Sequence, residues 1–270
     1  MPSPDNAQTI RDLARQIRRL ERTTQPATPA DRVLSTGIPP LDGLLPDRGF
    51  PPGTLVEWLS ASPGCGAGTL AFTAAARLLR NDRALVVVDP DRSFHPPALP
   101  HLLQPFRPSL PEQTSLLERM VIVHPETERD ALWALEQSLR CPAVAVTVCW
   151  LDHLRSQVCR RLQLAVETGG GIGMLLRSGE CRVDPSWADF RLLVEPLASM
   201  SSSSSAFLSA AGSLSADSTW SSRQLRLELL HCRGRLSGGA VELEIDDATG
   251  HVRLASRMAP AADSYRAAGA

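Results

Sequence analysis

Apolar and polar positions follow two different patterns along the middle of the chain. Short apolar runs predict strands at residues 54–59, 85–89, 120–124, 143–150 and 172–176, and helical spacing predicts helices at 70–79, 128–140 and 155–167. Strands that are apolar on both faces and separated by helices are typical of a parallel sheet covered by helices on both sides. We therefore expect an α/β fold with a mainly parallel sheet.

The pattern changes to a period of two after residue 190. Residues 190–195, 223–230 and 240–246 alternate between apolar and polar side chains, which predicts half-exposed antiparallel strands at the C-terminal end. Residues 198–222 between them contain five consecutive serines, and we expect this insertion to be mobile and to be cut early by proteases. Residues 259–270 are expected to form a disordered tail.

The N-terminal part of the chain has a pattern of its own. Residues 6–23 have apolar side chains at helical spacing with arginines between them, which predicts a short amphipathic helix. Its arginine-rich face is either solvated or contacts a partner or DNA. The candidate contact residues of this helix are Ile10, Leu13, Ala14, Ile17, Arg18 and Leu20. The expected organisation is therefore a helix and linker at 1–30, a core at 31–258 with the insertion, and the tail.

Composition excludes several classes of protein. The formal net charge is -1, so no overall field attracts the chain to DNA or to an anionic membrane. No apolar run has the length of a membrane span, and the first residues lack the plan of a signal peptide. The six cysteines form no C-x-x-C pair and the six histidines are scattered, which indicates reduced thiols and no metal site. We expect a cytoplasmic protein.

Residues 61–70, ASPGCGAGTL, lie between a predicted strand and a predicted helix, where a phosphate loop of sequence G-x-x-x-x-G-K-[ST] would lie. Ala67 and Gly68 stand where that loop needs lysine and a hydroxyl, and Thr69 comes one position late. The chain contains no lysine, because all 28 basic residues are arginine, whose planar fork is a poor substitute. Gly64 and Gly66 are kept either for the turn or to hold a phosphate on backbone amides.

The stretch that leads into this loop resembles the entry to the RecA recombinase core. That core has T-G-x-x-x-L-D, then a G-x-P-x-G turn, then a strand ending near glutamate; the matching residues here are Thr36, Gly37, Leu41, Asp42, Gly49, Pro51, Gly53 and Glu57. The resemblance extends over residues 33–255. It implies a RecA-like fold, that of the P-loop NTPases, with a degenerate phosphate loop.

The same resemblance locates two acids. It places Asp91 at the position of the catalytic glutamate, but its side chain is one methylene shorter. Asp152 follows the strand at 143–150, where it is either a second magnesium acid or an ordinary aspartate at the end of a strand. No tyrosine occurs in 94–98, where RecA stacks an aromatic ring on adenine. We expect no catalytic residue, no bound cofactor and no metal, and we interpret the loop and both acids as vestigial.

Four segments are similar to the ImuA family, the RecA-like accessory proteins of bacterial inducible-mutagenesis cassettes, which are grouped with SulA-like proteins. The segments are TGIPPLDGLLP at 36–46, DALWALEQSLR at 130–140, RRLQLAVETGGGIGMLLR at 160–177 and LRLELLHCRGR at 225–235. The resemblance implies a non-catalytic adaptor in translesion synthesis during the SOS response to DNA damage. Its implied partners are an ImuB-like, Y-family-related protein and an error-prone replicative-type DNA polymerase, with RecA as a further candidate.

Two other functions stay open at this point. One is a nucleotide-dependent RecA-like ATPase that binds DNA, and the other is a cell-division inhibitor of the SulA type. Direct DNA contact is weakly supported, because the segment 177–184 is short and balanced in charge, and Arg155, Arg160 and Arg161 form only a small cluster. We expect function to reside in protein contacts, first through residues 6–23 and second through an exposed edge of the strands at 223–246.

Overall fold

A computed structural model describes residues 33–79, 83–96, 116–197, 222–234, 238–246 and 251–255. In these ranges the strands are β1 (Thr54–Ser60), β2 (Ala84–Val88), β3 (Met120–Val123), β4 (Val144–Trp150), β5 (Ile172–Ser178), β6 (Phe190–Pro196), β7 (Ser222–Cys232), β8 (Ala240–Asp246) and β9 (Val252–Leu254). The helices are α1 (Pro39–Leu44), α2 (Ala67–Leu78), α3 (Glu128–Arg140) and α4 (Ser156–Gly169). The predicted amphipathic helix, the serine run and the tail lie outside the described residues.

The strands form one sheet in the order β3-β2-β4-β5-β1-β6-β7-β8-β9. Every pair from β3 to β6 is parallel, and every pair from β6 to β9 is antiparallel. This confirms the predicted α/β class with antiparallel strands at the C-terminal end. The prediction for residues 190–195 was wrong in one respect, because β6 is parallel to β1 and antiparallel only to β7.

A second prediction, that the strands at 223–246 present an exposed edge, is also wrong. β7 lies between β6 and β8, and β8 pairs on its other side with β9, a strand that the sequence pattern did not indicate. Leu243, Glu244 and Ile245 of β8 are in register with Leu254, Arg253 and Val252. Among the described residues the outer strand on this side is therefore β9.

Helices cover the parallel part of the sheet on both faces. α2 packs on one face against Val56 and Trp58 of β1, while α3 and α4 pack on the other face against Leu55. α3 begins after Thr127, whose hydroxyl accepts a 3.1 Å hydrogen bond from the Asp130 amide, as expected of a helix cap. None of the described helices has the length and apolar character needed to cross a membrane.

The T-G-x-x-x-L-D entry motif ties the start of the described chain together. Asp42 accepts hydrogen bonds from the Ser35 hydroxyl at 2.6 Å, the Thr36 amide at 2.9 Å and the Thr36 hydroxyl at 2.8 Å. Gly37 has a φ of 71°, and a Cβ there would lie 2.5 Å from Cγ of Arg77 on α2. The motif therefore fixes the entry segment against α2.

A buried carboxylate joins the three central strands. Glu57 of β1 is 0% exposed and lies on the α3–α4 side of the sheet. Its Oε1 receives Nη1 of Arg177 from β5 at 3.1 Å and the hydroxyl of Ser186 at 2.7 Å, and its Oε2 receives Nε of Arg191 from β6 at 2.8 Å. Arg177 also contacts the Asp184 carboxylate at 2.9 Å. This network holds the segment between β5 and β6 against the sheet.

We expect Glu57→Gln to destabilise the protein by about 3–5 kcal/mol, because two guanidinium groups would stay in the interior without their shared carboxylate. The measurement is the free energy of unfolding from urea denaturation. Glu244→Gln is the control, since it removes a carboxylate from an exposed ion pair with Arg253 and should change stability far less. Equal losses in the two variants would show that the buried network contributes no more than a surface pair.

Candidate functional site

Residues 61–66 connect the carboxyl end of β1 to α2 and occupy the place of a phosphate loop. The Ala61 amide donates to the Val194 carbonyl at 3.0 Å, which fixes the loop to β6. Gly64 and Gly66 have φ values of 73° and 99°, and α2 starts directly after Gly66. The backbone of a strand–turn–helix connection is therefore present. What the site can do depends on the side chains around it.

The loop glycines differ in what they contact. A Cβ at Gly66 would lie 3.0 Å from Cδ2 of Leu225 and 3.7 Å from Cδ1 of Ile245, so β7 and β8 press on the loop at this point. A Cβ at Gly68 would meet nothing within 4 Å. Of Gly64, Gly66 and Gly68, only Gly66 combines a left-handed backbone with close packing, which supports a steric reason for its presence.

The residues that replace lysine and hydroxyl offer no charge. Ala67 is 1% exposed and belongs to the core under α2, and Gly68 and Thr69 are half-buried. Arg223 reaches the loop from β7, and its Nη1 lies 3.5 Å from the Gly64 carbonyl. That guanidinium contacts a backbone oxygen of the loop and is therefore already engaged with the chain.

Asp91 and Asp152, the two acids selected from the sequence, have different surroundings. Asp91 is exposed in the turn after β2, whereas Asp152 accepts a 2.5 Å hydrogen bond from the Ser178 amide and so links the end of β4 to β5. The Asp152 contact is that of an ordinary aspartate at the end of a strand. Asp89, which the sequence interpretation did not select, is fully buried and accepts from the Ser93 and Phe94 amides at 3.1 and 2.9 Å.

The side chain that β4 directs toward α2 at its carboxyl end is Trp150. A register shift opposite Ala84 and Leu85 of β2 leaves both Ala145 and Val146 of β4 in the core under α2. This irregularity reverses the alternation for the rest of β4. Trp150 then lies beside α2, on the face where an acid for magnesium would need to project.

Trp150 is one member of an aromatic cluster at this edge. The ring centroids of Phe72 on α2 and Phe94 after β2 are 4.7 Å apart and nearly parallel, and Trp150 lies 5.7 Å from Phe72 and 6.0 Å from Phe94. P-loop NTPases hold Mg²⁺ there with a loop hydroxyl and an aspartate. Rings at this edge offer no ligand to a cation of that kind. In the part of the chain that the structure describes, no group of acids, histidines and cysteines could hold a metal ion.

Two of the three arginines considered for a phosphate track, Arg160 and Arg161, have partners within the chain. Nε of Arg161 lies 2.8 Å from the Glu136 carboxylate, and the Arg160 guanidinium lies 4.9 Å from the centroid of the Trp187 ring. The residues after β5 form a 3-10 turn at Gly179–Val183, where Arg191 donates to the Cys181 and Arg182 carbonyls at 2.7 and 3.0 Å. This segment is folded onto the sheet and does not project from it.

Three of the cysteine thiols, those of Cys149, Cys159 and Cys181, are poor nucleophiles in this setting. Burial raises the pKa of Cys149 to about 12, and the neighbouring Asp89 carboxylate adds to that increase. Burial also raises the pKa of Cys159 and of Cys181. A thiol with a raised pKa is protonated at neutral pH, so these side chains do not support nucleophilic chemistry.

Comparison with known proteins agrees with this architecture. No family model matches the chain, and no curated protein matches it. Among solved structures the chain is similar to the crystal structure of the RadB recombinase, with 18% sequence identity and a TM-score of 0.57, over 83% of this chain and 100% of that one. The fold is therefore that of the RecA-like recombinases. At this identity the likeness establishes the fold alone.

We expect Gly66→Ala to destabilise the protein by about 1–3 kcal/mol, because alanine is strained at this φ and its methyl group would press on Leu225. Gly68→Ala is the matched control: it enters the first turn of α2 with open space around it and should add up to about 1 kcal/mol. Urea denaturation measures both. If the two variants had the same stability, close packing would not explain the loop glycine.

Proposed function

We propose that this chain is a non-catalytic RecA-like adaptor that acts in DNA-damage-induced translesion synthesis. The observation that carries the proposal is the chemistry at the carboxyl edge of the sheet. Ala67, Gly68 and Trp150 occupy the positions where nucleotide hydrolysis on this fold needs an ammonium, a hydroxyl and a magnesium acid. A fold that retains its loop backbone without these groups is suited to presenting surfaces to other proteins.

The size of the expected loss in Mg-ATP affinity supports this proposal. A hydrogen bond to a charged group contributes about 1.5–3 kcal/mol, and each 1.4 kcal/mol changes an affinity about tenfold. With the lysine, the hydroxyl and the acid all replaced, the expected affinity for Mg-ATP falls by several orders of magnitude. The remaining loop contacts would come from backbone amides alone.

The partners come from the resemblance to the ImuA family and not from the geometry. An ImuB-like, Y-family-related protein and an error-prone replicative-type DNA polymerase are the proposed partners, with RecA as a further one. Two of the four similar segments form α3 and the α4–β5 unit, and a third begins in β7. The similar segments therefore include helices on the outer surface as well as strands of the core. Outer helices are the elements that could contact a partner. We keep residues 6–23 as the first proposed contact.

A nucleotide-dependent ATPase is the second candidate function, and one observation favours it. Gly64 and Gly66 keep left-handed conformations at the start of α2, a helix of 12 residues whose first amides could receive a phosphate. In that case Mg-ATP would still bind to the native state. Any ligand that binds only the native state must raise its melting temperature.

We expect no increase in melting temperature with millimolar Mg-ATP and no phosphate release above background, with or without single-stranded DNA. The physical reason is the missing ammonium, hydroxyl and acid. Differential scanning fluorimetry and a phosphate-release assay measure the two quantities, and sulfate at equal ionic strength controls for general salt effects. A shift of several degrees that is specific to Mg-ATP would favour the ATPase.

The adaptor role is tested by two variants that act on different parts of the molecule. Ala67→Lys combined with Gly68→Thr should leave damage-induced mutagenesis unchanged, because the loop is not used. Deletion of residues 1–25 should weaken co-purification with the ImuB-like protein and lower mutagenesis. Both variants are first compared with the wild type by urea denaturation. Normal co-purification after the deletion would contradict the assignment of this contact to residues 6–23.

A further inference from the structure

A groove on the outer surface between α3 and α4 contains exposed apolar side chains. Trp133 of α3 is 64% exposed and Leu164 of α4 is 45% exposed, and an open cavity of about 480 Å³ lies beside Trp133. Exposed tryptophan on a rigid helix is typical of contact surfaces. We call this surface the α3–α4 groove; its cavity is lined by Glu128, Arg129, Leu132, Trp133, Glu136 and Arg161.

The groove has a fixed floor and an acidic end. Glu136 lies between Arg140 and Arg161, at 2.7 and 2.8 Å, so the bottom of the groove is an ion-paired bridge between the two helices. At the amino end of α3 three acids, Glu126, Glu128 and Asp130, are exposed against one arginine, Arg129. A complementary ligand would place apolar side chains on Trp133 and cationic side chains near these carboxylates.

Residues 6–23 of the same chain have this chemistry. Their apolar side chains recur at helical spacing, and they carry five arginines against Asp12 and Glu21. Arginine is also the side chain that stacks most readily on an exposed indole ring. The segment therefore combines an excess of cationic side chains with regularly spaced apolar ones, and the groove combines an excess of exposed acids with an exposed tryptophan.

The described chain starts at a place from which this segment can reach the groove. Val33 lies against Gly49, and Gly53 lies against Glu167 in the last turn of α4, where a Cβ would be 3.2 Å from Cα of Glu167. Glu167 lies six residues further along α4 than Arg161, which lines the groove, a separation of about 9 Å along the helix axis. Residues 24–32 extend up to about 30 Å. Residues 24–32 are therefore long enough to connect residues 6–23 in the groove to the rest of the same molecule.

We propose that the α3–α4 groove binds residues 6–23 of the same chain, with their apolar side chains on Trp133 and Leu132. The contact concerns this chain alone and does not depend on the partner proteins. In this arrangement residues 6–23 cover the exposed ring of Trp133. It also means that a partner that uses the apolar side of residues 6–23 must first displace them from the groove.

The test is the rate of tryptic cleavage after Arg15, Arg18, Arg19 and Arg22 in the full-length protein. Docking protects these bonds, so Trp133→Glu should raise the rate about tenfold if cleavage follows the open population. Val183→Glu is the matched control: Val183 is 88% exposed in the turn after β5, outside the groove, and its variant should be cut at the wild-type rate. Ile17→Asp changes the segment itself and should give the same increase as Trp133→Glu.

Two results would overturn the proposal. One is an unchanged rate in Trp133→Glu or in Ile17→Asp, while urea denaturation shows that the variant is folded. The other is protection that is lost on dilution, because a segment bound by a second copy dissociates with concentration and one bound within its own molecule does not. The experiment contains no partner protein, so its failure leaves the adaptor proposal to be judged by mutagenesis and co-purification.

Discussion

The carboxylate of Glu57 is the interaction on which the centre of this fold depends. It is fully buried, and it receives guanidinium groups from β5 on one side and from β6 on the other. Removing one member of such a group leaves an uncompensated charge in a medium of low dielectric, so each ion pair depends on the other. The segment between β5 and β6 takes part through Ser186 and Asp184. It is thereby a structural part of the sheet and not a loop free to close on a ligand.

The carboxyl edge beside this centre is filled largely by apolar side chains. β7 and β8 press on Gly66 through Leu225 and Ile245, and the aromatic cluster fills the space between α2 and the ends of β2 and β4. In a nucleotide enzyme the bound phosphates and Mg²⁺ supply contacts at such an edge. Here apolar side chains supply contacts at this edge without any bound ligand. The packing at this edge is therefore complete without a bound nucleotide.

Features that are determined by residues close together in the sequence were predicted well. The bounds of α3 and β8 agree with the helical and alternating patterns, because a local cap and a one-sided burial define them. The direction of β6 was not predictable in this way. Alternation of apolar and polar residues indicates which face of a strand is buried, but not whether the strand runs parallel or antiparallel to its neighbours. That direction depends on residues 179–189, which cross the sheet on the side of Glu57.

The same distinction applies to the candidate site. The missing lysine and hydroxyl could be seen in the sequence, because the loop is one continuous stretch. The position of Trp150 could not, since it depends on a register shift between β2 and β4 that reverses which side of β4 faces α2. Asp152 was selected as the possible magnesium acid because it is the aspartate nearest to the strand end, but in the fold it bonds to β5. Side chains that meet across strands are set by register, which a single sequence does not display.

Competition between the groove and a partner for residues 6–23 would lower the affinity of the partner. If residues 6–23 bind both the groove and a partner through the same apolar side chains, the two contacts exclude each other. The apparent affinity for the partner is then the intrinsic affinity reduced by the fraction of molecules in which the segment is free. With about nine molecules in ten docked, the partner would bind about tenfold more weakly than to an isolated segment. Substitution of Trp133 would thus strengthen partner binding, whereas substitution of Ile17 would weaken it, so the two sides of one contact act in opposite directions on the complex.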